Sequence, residues 1–394
     1  MNIKPKTLKG FRDFLPKETR KRQFVINTIK SVFESYGFEP LETPALEFSD
    51  FLKGKYGEEE KLIYEFETKG KDKVALRYDQ TVPLSRVIIQ YQNELVFPFK
   101  RYQIQNVWRG ENPQKGRYRE FLQCDADIVG SSSPLSDAEI LKLVLDIYKK
   151  LGLDVTIKIN DRENFKDLDR KYISAIDKLE KIGESAVLSE MIDKGMTDDD
   201  AKIALKNLQE KPQTQNIKDI YSELKLLEAD LNKIIYEPTL ARGLDYYTGM
   251  IFETLTEGYS GSLCSGGRYD KLIGKFSGVE MPAVGFGLGF DRTLEILEEK
   301  NLINIPFSSV RLLVILNNNT KDKSLEVYQK LRNANISAEL YLEENAALEK
   351  QLKYADRKNI PYVLIVKENV LELKDMSKRE QKSLTIEEIL KTLQ

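Results

Sequence analysis

Residues Lys100–Gly130 read KRYQIQNVWRGENPQKGRYREFLQCDADIVG. Apolar and polar residues alternate in Phe99–Trp108 and again in Tyr118–Val129, which predicts an antiparallel hairpin with a long, charged tip. The basic residues of this tip are Arg109, Lys115, Arg117 and Arg119. Two rigid strands could hold these side chains in place to bind phosphate or carboxylate groups in two-point fashion. A surface hairpin with solvated charges is the alternative, and for the hairpin alone it is the simpler interpretation.

Two further residues of the hairpin indicate which kind of ligand it could bind. Glu111 closely follows Arg109, and a carboxylate is out of place in a purely anion-binding loop. Its presence is explained if the ligand also carries an exocyclic amine, as adenine does. Phe121 on the returning strand could stack on such a base. The hairpin is therefore suited to a nucleotide that carries phosphates.

The composition excludes several kinds of catalytic site. The chain has 394 residues, no histidine and only two cysteines, Cys124 and Cys264. Ser-His-Asp and Cys-His nucleophile systems are therefore excluded, as are histidine-ligated metals, and a thiolate zinc site is disfavoured. The net charge of −2 argues against a protein that coats nucleic acid non-specifically. Catalysis must rely on carboxylates, arginine, lysine, tyrosine, backbone groups or a borrowed cation.

The period of the apolar residues divides the chain into two parts. Up to about residue 305 the spacing of the apolar residues predicts strands and long helices. Within this part, residues from about 165 to 233 are highly charged and have helical periodicity only, which predicts a helical insertion. Short strands then alternate with helices, which is typical of a compact α/β domain. We therefore expect one domain over residues 1–305 and a second over residues 308–394. No stretch approaches the length of a membrane span, so we expect a cytoplasmic protein without membrane contact.

Two more segments carry residues suited to a ligand site. In LARGLDYYTGMIFE, Leu240–Glu253, a polar cluster lies between apolar flanks and includes Arg242 and the adjacent Tyr246 and Tyr247. In PAVGFGLGFDR, Pro282–Arg292, glycine at alternate positions leaves one side of a strand without side chains and opens room for a flat ligand. Turn geometry or close backbone packing explains either segment equally well if it is taken alone.

Together these segments resemble the class II aminoacyl-tRNA synthetases, and among them the histidyl-tRNA synthetase family. KGFRDFLP near the start, LRYDQTVPL at Leu76–Leu84, the hairpin, ARGLDYYTG, SGGRYDKLIG and GFGLGFDR follow the order of that family's motifs. LKYADRKNIPYVLIV near the end resembles its anticodon-binding domain. The resemblance covers almost the whole chain, and the helical insertion is its weakest part.

The resemblance implies an α+β catalytic domain, with an antiparallel sheet, flanking helices and a helical insertion, followed by an α/β anticodon-binding domain. It implies a homodimer with the segment around Pro44 and the preceding helix at the interface. It also implies a histidine–tRNA ligase, which forms histidyl-adenylate from histidine and ATP and then transfers the histidyl group to the 3′ end of tRNA-His. The substrates and partners would be histidine, ATP with Mg²⁺, and tRNA-His, without zinc.

The motifs also imply roles for individual residues at the nucleotide. Arg109 would hold the α-phosphate of ATP and the carboxylate of the amino acid. Arg242 would lie against the same reacting phosphate, so these two arginines are the expected catalytic residues. Glu111 would contact adenine and Phe121 would stack on it. Arg292 would hold the far phosphate.

The resemblance places the amino acid in a separate part of the site. Asp79 and Thr81 would receive its α-ammonium group, and Gln123 would lie near its carboxylate. The residues expected at the imidazole are Asp127, Tyr246 and Tyr247. The residues expected at the acceptor end of the tRNA are Gln114 and Lys115.

Elementary chemistry agrees with this allocation. A substrate carboxylate is ionised at pH 7, so its attack on phosphorus requires no general base. Alignment and charge neutralisation remain, and arginines with Mg²⁺ supply both. An imidazole with two N–H groups needs an acceptor on each edge, which a carboxylate and a phenol provide. The alternative is a non-catalytic regulatory subunit of ATP phosphoribosyltransferase that senses histidine. Such paralogues tend to lose the hairpin tip and the C-terminal domain, and both are present here.

Overall fold

The computed structural model describes residues 4–54, 57–114, 116–241, 246–306, 308–344 and 346–393. These residues form two compact units. The first contains the residues up to Asp13 together with Arg22–Ile303, and the second contains Phe14–Lys21 together with Asn304–Gln394. None of the described helices is long and apolar enough to cross a membrane.

A sheet of eight strands forms the centre of the first unit, and a separate sheet of three strands accompanies it. In chain order the strands of this unit are β1 (Glu39–Pro40), β2 (Leu46–Phe48), β3 (Glu65–Glu67), β4 (Lys73–Leu76), β5 (Phe99–Trp108), β6 (Glu120–Val129), β7 (Thr156–Asp161), β8 (Ile234–Tyr236), β9 (Met250–Leu255), β10 (Cys264–Arg268) and β11 (Ala283–Gly289). The large sheet has the order β1-β5-β6-β11-β10-β9-β7-β8, and the small one β2-β4-β3. All neighbours in the large sheet are antiparallel except β1 with β5 and β7 with β8. The expected antiparallel sheet is confirmed, with one short parallel strand at each edge.

The predicted hairpin is the β5–β6 pair, which lies inside the large sheet. Because successive side chains of a strand point to opposite faces, each strand divides its residues between two environments. On β6, Cys124, Ala126 and Ile128 join the apolar core on one face. Gln123, Asp125 and Asp127 therefore share the other face. Neighbouring β11 offers that face almost no side chains because its residues 285, 287 and 289 are glycine.

Helices cover the apolar face of the sheet. The first unit contains α1 (Pro16–Ser35) from Arg22 onward. Its other helices are α2 (Ser49–Leu52), α3 (Thr81–Gln90), α4 (Pro134–Lys150), α5 (Arg170–Ile176), α6 (Leu179–Ile182), α7 (Glu184–Asp193), α8 (Asp198–Gln209), α9 (Gln215–Leu226), α10 (Gly274–Ser277) and α11 (Phe290–Glu299). Buried residues of α1, α4, α9 and α11 pack into one cluster with the sheet. The hydroxyl of Ser133 accepts a hydrogen bond from the backbone N–H of Leu135 and caps α4.

The charged helical stretch contains α5 to α9, and its buried residues belong to two cores. Ile173, Val187, Met191 and Leu205 form a small cluster of their own with parts of the sheet. α9 differs because its buried residues join the main core beside α4. The last helix of this stretch is thus an integral part of the main core.

The second unit is a five-stranded sheet with helices on both faces. Its elements are α12 (Lys321–Asn333), α13 (Leu348–Arg357), α14 (Ile386–Leu393), β12 (Leu312–Val314), β13 (Ala338–Leu340), β14 (Tyr362–Val366), β15 (Leu371–Asp375) and β16 (Gln381–Leu384). The order is β13-β12-β14-β15-β16, parallel over the first three strands and antiparallel over the rest. Leu312 and Val314 face α12 and α14, whereas Leu313 faces α13. The expected α/β unit is confirmed, and its antiparallel end, β15–β16, was not predicted.

A buried ion pair links α4 to the end of β10. Asp137 of α4 is fully buried, and Arg268 donates hydrogen bonds to both of its carboxylate oxygens. The same guanidinium also donates to the backbone oxygen of Ser131 at 2.9 Å. Since a buried charge is tolerated only where its partners are in place, this pair fixes the helix against the sheet.

We expect Asp137→Ala to lower the free energy of unfolding by about 3 kcal/mol, because it leaves the Arg268 guanidinium buried without its carboxylate. The single tryptophan, Trp108 on β5, reports on this unit in a urea titration followed by fluorescence. Lys202→Ala is the control: Lys202 pairs with Asp198 at 2.7 Å on an exposed helix face. Its urea midpoint should equal that of the wild type. An equal effect of both substitutions would contradict the role of the buried pair.

Candidate functional site

A cavity of about 390 Å³ opens on the polar face of the large sheet. Its floor is formed by β6, β10 and β11, and its walls by the start of α3, the hairpin tip, the segment after residue 245 and the start of α11. The predicted site residues that line it are Asp79, Thr81, Arg109, Glu111, Phe121, Gln123, Asp127, Tyr246, Tyr247 and Arg292. The fold thus brings into one cavity residues that lie more than 200 positions apart in the sequence.

Three predicted residues require separate mention. Gln114 lies in the turn of the hairpin tip, where its backbone exchanges hydrogen bonds with that of Arg117. It is not among the residues that line the cavity. Arg242 and Lys115 lie outside the described residues.

Asp127 is the buried acceptor at the inner end of the cavity. It is only 2% exposed, and one of its oxygens lies 2.6 Å from the guanidinium of the fully buried Arg101. The hydroxyl of Tyr269 donates a hydrogen bond to its other oxygen. Burial raises the pKa of Asp127, whereas the Arg101 cation and the Tyr269 hydrogen bond act in the opposite direction. The carboxylate is thereby held in one orientation facing the cavity.

Aromatic rings surround this acceptor. The ring centroids of Tyr246 and Tyr247 lie 4.6 Å apart, and Tyr246 contacts the ring of Tyr269 edge to face at 6.1 Å. Burial raises the pKa of both Tyr246 and Tyr247, so their hydroxyls stay protonated at neutral pH. A planar ring with N–H groups would find a carboxylate, hydroxyls and aromatic faces here.

A second carboxylate lies at the start of α3. Asp79 is 6% exposed, and it accepts a hydrogen bond of 3.1 Å from the backbone N–H of Val82. Thr81 is the first residue of the helix. Between them Gln80 donates to the backbone oxygens of Gln105 and Gln123 at 2.9 and 3.2 Å, which ties the helix start to the hairpin. The hydrogen bonds to the hairpin strands therefore help to fix the position of Asp79.

Arginines dominate the outer part of the cavity. The Nε of Arg109 donates to the backbone oxygen of Tyr78 at 3.2 Å, and its guanidinium lies over the rings of Tyr78 and Phe121 at 4.4 and 5.2 Å. Arg292 donates to the backbone oxygen of Ser262 at 2.9 Å. Two oriented guanidiniums at one cavity form a site for a polyanion, and Phe121 adds a face for stacking.

At the hairpin tip, Glu111 forms an ion pair with Arg117. The nitrogen of Arg117 lies 3.4 Å from the carboxylate, which leaves this pair weaker than a charge-assisted hydrogen bond of usual length. The cavity is therefore uneven in charge: Asp79 and Asp127 line one part, and Arg109, Arg117 and Arg292 line the other, where Glu111 and Asp291 accompany them. Such a cavity suits a ligand with cationic or N–H groups on one side and phosphates on the other.

Residues 10–293 match the sequence profile described as histidyl-tRNA synthetase, and residues 310–394 match the profile of the anticodon binding domain. The chain belongs to the histidyl-tRNA synthetase family. Relatives named histidine–tRNA ligase agree with this. That of Christiangramia forsetii is 39% identical, covering 97% of this chain and 96% of its own. That of Flavobacterium johnsoniae is 38% identical over 100% of both chains.

A solved structure of the histidyl-tRNA synthetase family has the same architecture. The histidyl-tRNA synthetase from Nostoc sp. PCC 7120 superposes with a TM-score of 0.85. The two chains are 31% identical, and the superposition covers 100% of each. The resemblance of the sequence to this family is thereby confirmed, as is the expected class II fold.

The sequence analysis missed Tyr269, which lines the cavity, and the buried Arg101 and Asp125, which contact the lining residues Asp127 and Gln123. Arg101 and Tyr269, which hold Asp127, received no role, and neither did Asp125. A usable signal was present in the alternation of β6, which places Asp125 on the same face as Gln123 and Asp127. The contacts of Arg101 and Tyr269 depend on strand neighbours that pairing alone determines, so the sequence pattern did not reveal them.

The glycines of β11 provide space for side chains of β6. A Cβ atom at Gly285 would lie 2.0 Å from Oδ1 of Asp127 and 2.7 Å from the backbone oxygen of Ala126. We expect Gly285→Ala to displace Asp127 and to weaken histidine binding at least tenfold, with a loss of about 1–3 kcal/mol in the free energy of unfolding. Isothermal titration calorimetry and urea denaturation measure the two effects.

Gly70→Ala is the matched control for this substitution. A Cβ atom at Gly70 meets only ordinary contacts, the nearest at 3.5 Å from the Asp72 carboxylate. Unchanged histidine affinity in Gly285→Ala would show that Asp127 does not need this space.

Proposed function

We propose that the chain is a histidine–tRNA ligase that activates histidine with ATP and transfers the histidyl group to the 3′ end of tRNA-His. The uneven charge of the cavity is the observation that carries this proposal, since it offers carboxylates to an imidazole and an ammonium group and guanidiniums to phosphates. Membership of the histidyl-tRNA synthetase family supports the same reaction. We place the enzyme in the cytoplasm, where ATP and tRNA are available, without membrane contact.

The imidazole of histidine binds at the inner end of the cavity. Asp127 accepts one ring N–H, and the Tyr247 hydroxyl serves the other edge with Tyr246 beside it. Because Asp127 is already held by Arg101 and Tyr269, little side-chain freedom is lost when the substrate binds. A substrate without the ring N–H groups would leave a buried acceptor unpaired, which disfavours other amino acids.

The α-ammonium group of histidine binds beside Asp79 and Thr81. This places the substrate carboxylate toward the outer, arginine-rich part of the cavity. Arg109 neutralises both this carboxylate and the α-phosphate of ATP, so that two like charges can approach each other. Gln123 lines the same cavity, and in the proposed complex it lies near the substrate carboxylate.

ATP occupies the outer part of the cavity. Adenine stacks on Phe121, its exocyclic amine donates to Glu111, and Arg292 holds the far phosphate. Mg²⁺ enters with the nucleotide as MgATP, the form in which ATP is used. Among the described residues no three carboxylate or thiol groups are arranged to hold a metal ion. That the enzyme works without zinc stays a prediction from the sequence.

The first step is a displacement at phosphorus. A carboxylate oxygen of histidine attacks the α-phosphorus, the bond to the bridging oxygen breaks, and pyrophosphate leaves. No proton moves, so alignment and charge neutralisation by Arg109 and Arg242 account for catalysis. A 3′-terminal ribose hydroxyl of tRNA-His then attacks the carbonyl carbon of the adenylate and gives up its proton, the bond from that carbon to the phosphate oxygen breaks, and AMP leaves. Gln114 and Lys115 at the hairpin tip contact the acceptor end.

The regulatory alternative would need only the inner end of the cavity. A histidine sensor has no use for a polyanion site, yet Arg109, Phe121 and Arg292 are assembled there. The second unit, which matches an anticodon binding domain, is also present. Both observations favour the ligase.

The purified protein should catalyse histidine-dependent exchange of pyrophosphate into ATP and should charge tRNA-His. Exchange is measured with each of the standard amino acids, and only histidine should support it, because only an imidazole pairs with Asp127. Arg242→Ala should lower kcat for exchange by about 10²-fold or more, since it removes charge stabilisation at the phosphate. Calorimetry is the control: histidine binding without any exchange would support the regulatory alternative.

We also propose that the chain forms a homodimer. The support is an exposed apolar face on the small β2-β4-β3 sheet, just after Pro44. Leu46, Phe48 and Phe66 are 40%, 66% and 47% exposed there, and Phe48 and Phe66 are both paired with Val74 in the register. A contiguous apolar face of this kind is costly in water and is typical of a protein interface. A second copy of the chain is the occupant that the family resemblance implies.

Phe48→Glu should shift the protein from dimer to monomer in analytical ultracentrifugation, because a charge would be buried at the interface without a partner. Leu226→Glu is the matched control, since Leu226 is 78% exposed at the end of α9, away from this face. It should remain dimeric. A wild type that sediments as a monomer at micromolar concentration would overturn the proposal.

A further inference from the structure

The short segment of residues 10–12, just before α1, contacts two separate walls of the cavity. One wall is the hairpin tip, which supplies Tyr118, and the other is the start of α11, which supplies Asp291 and Arg292. These two walls are more than 170 positions apart in the sequence. None of the roles above uses the segment that lies against both of them.

The side chain of Arg12 touches both walls at once. Its guanidinium carbon lies 3.2 Å from the centroid of the Tyr118 ring, so the guanidinium lies against the face of that ring. One nitrogen of the same guanidinium lies 2.9 Å from Oδ1 of Asp291. Arg12 itself is not among the residues that line the cavity, whereas Tyr118 and Asp291 are. It can therefore affect a ligand in the cavity through these two neighbours.

Gly10 connects the same segment to the base of the hairpin tip. Its backbone oxygen accepts a hydrogen bond of 2.9 Å from the backbone N–H of Arg119. Gly10 has a φ of +88°, and a Cβ atom there would lie 2.7 Å from Cγ of Arg119. The Nε of Arg119 in turn donates to the backbone oxygen of Glu111 at 2.9 Å. Glu111, the proposed contact of adenine, is thus connected to residue 10 by two consecutive hydrogen bonds.

At the other wall, Asp291 has a second arginine partner. Arg22 of α1 donates a hydrogen bond to the same Oδ1 at 2.6 Å, and its guanidinium lies over the Phe290 ring at 4.7 Å. Asp291 directly precedes Arg292, the residue proposed to hold the far phosphate. Because Arg22 remains when Arg12 is removed, the buried Asp291 carboxylate keeps a cation. The start of α11 should therefore stay folded without Arg12.

A nucleotide bound as proposed spans the space between the two walls. It stacks on Phe121 of the hairpin and reaches Arg292 of α11, so the spacing of the walls decides whether both contacts can form at once. The walls also touch directly, since Nε of Arg292 donates to the backbone oxygen of Gly116 at 3.5 Å. This distance is long for a hydrogen bond, and the contact uses the side chain that a phosphate would engage. Arg12 connects the walls without using that side chain.

We propose that Arg12 is a positioning residue for ATP, because its contacts with Tyr118 and Asp291 set the distance between the two walls. The adenine contacts of the hairpin and the phosphate contact of α11 are thereby held at the spacing that one nucleotide needs. This inference rests on the proposed ligase function. The residues proposed to bind the imidazole lie on β6 and just after residue 245, outside these contacts. Arg12 should therefore affect the binding of the nucleotide and not that of histidine.

Calorimetric titration of the full-length protein with MgATP and, separately, with histidine tests this role. Arg12→Ala should weaken MgATP binding by roughly ten- to a hundredfold, because the two walls are no longer held at the required spacing. Histidine affinity should stay within about twofold of the wild type, since its contacts lie elsewhere in the cavity. In pyrophosphate exchange the KM for ATP should rise while the KM for histidine stays constant. A purely structural loss would lower kcat through the amount of active protein, without this selectivity.

Arg332→Ala is the matched control for this substitution. Arg332 also lies over a tyrosine ring, that of Tyr328 at 5.7 Å, but both residues belong to α12 of the second unit. Its affinities for MgATP and histidine should equal those of the wild type. A comparable loss of MgATP binding in this control would overturn the specific role of Arg12.

A double-mutant cycle tests whether Arg12 acts through Tyr118. Tyr118 lines the cavity, so Tyr118→Ala should by itself weaken MgATP binding. If the two side chains act as one unit, adding Arg12→Ala to Tyr118→Ala should weaken MgATP binding by less than about threefold. Fully additive effects of the two substitutions would overturn the proposal.

Gly10→Ala perturbs the same segment without removing a charge. A Cβ atom at Gly10 would displace the Arg119 side chain, so MgATP binding should weaken by about fivefold or more while histidine binding stays unchanged. Gly183→Ala is the matched control, because Gly183 has a similar φ of +78° and a Cβ atom there would meet nothing within 4 Å. Its affinities for both ligands should equal those of the wild type.

The outcomes distinguish this inference from the ligase function. If the wild type catalyses exchange but neither Arg12→Ala nor Gly10→Ala weakens MgATP binding, the inference is wrong and the ligase function stands. Equal weakening of MgATP and histidine would mean a general loosening of the site and would also overturn the inference. Selective weakening of MgATP in a protein that catalyses no exchange would support the role of Arg12 and contradict the ligase function. Thermal unfolding of each variant shows that the titrated protein is folded.

Discussion

The buried ion pair between Arg101 and Asp127 is the constraint on which the site depends. Both side chains lie on the polar face of the β5–β6 hairpin, and the strand register places their residues opposite each other. A guanidinium this deeply buried is stable only beside its carboxylate, so the pair requires the hairpin to keep its register. Tyr269 extends the arrangement by a hydrogen bond to Asp127 from just beyond the end of β10. The acceptor proposed to bind the imidazole is therefore built into the sheet.

The same face of the sheet combines large polar side chains with glycines. Gln103 donates to Gln105 at 2.6 Å and to the Thr43 hydroxyl at 2.9 Å, and Arg77 donates to Gln105 at 3.0 Å. Glycines on β11 leave the adjoining space to Asp127 and Gln123. A polar layer in which most groups find partners holds its members in fixed positions.

A chain without histidine suits this chemistry well. The proposed first step needs an ionised substrate carboxylate and oriented cations, and it moves no proton. In the proposed reaction the two negatively charged reactants would meet at Arg109, which lines the cavity together with Asp79, Asp127 and Arg292. The proposed mechanism thus uses positioning and electrostatic stabilisation in place of acid–base catalysis.

The sequence by itself determined the elements whose pattern is local. Alternation in Phe99–Trp108 and Tyr118–Val129 predicted the hairpin, and regular alternation of strands and helices predicted the second unit. The hairpin of this unit, Leu371–Asp375 with Gln381–Leu384, was not predicted from the sequence because polar edge strands have a weak apolar pattern. Only the tertiary structure decided which strands became neighbours. That pairing brings Arg101 and Tyr269 into contact with Asp127. It also places Gly287 opposite Asp125. Pairing across a sheet depends on long-range contacts, which no local period encodes.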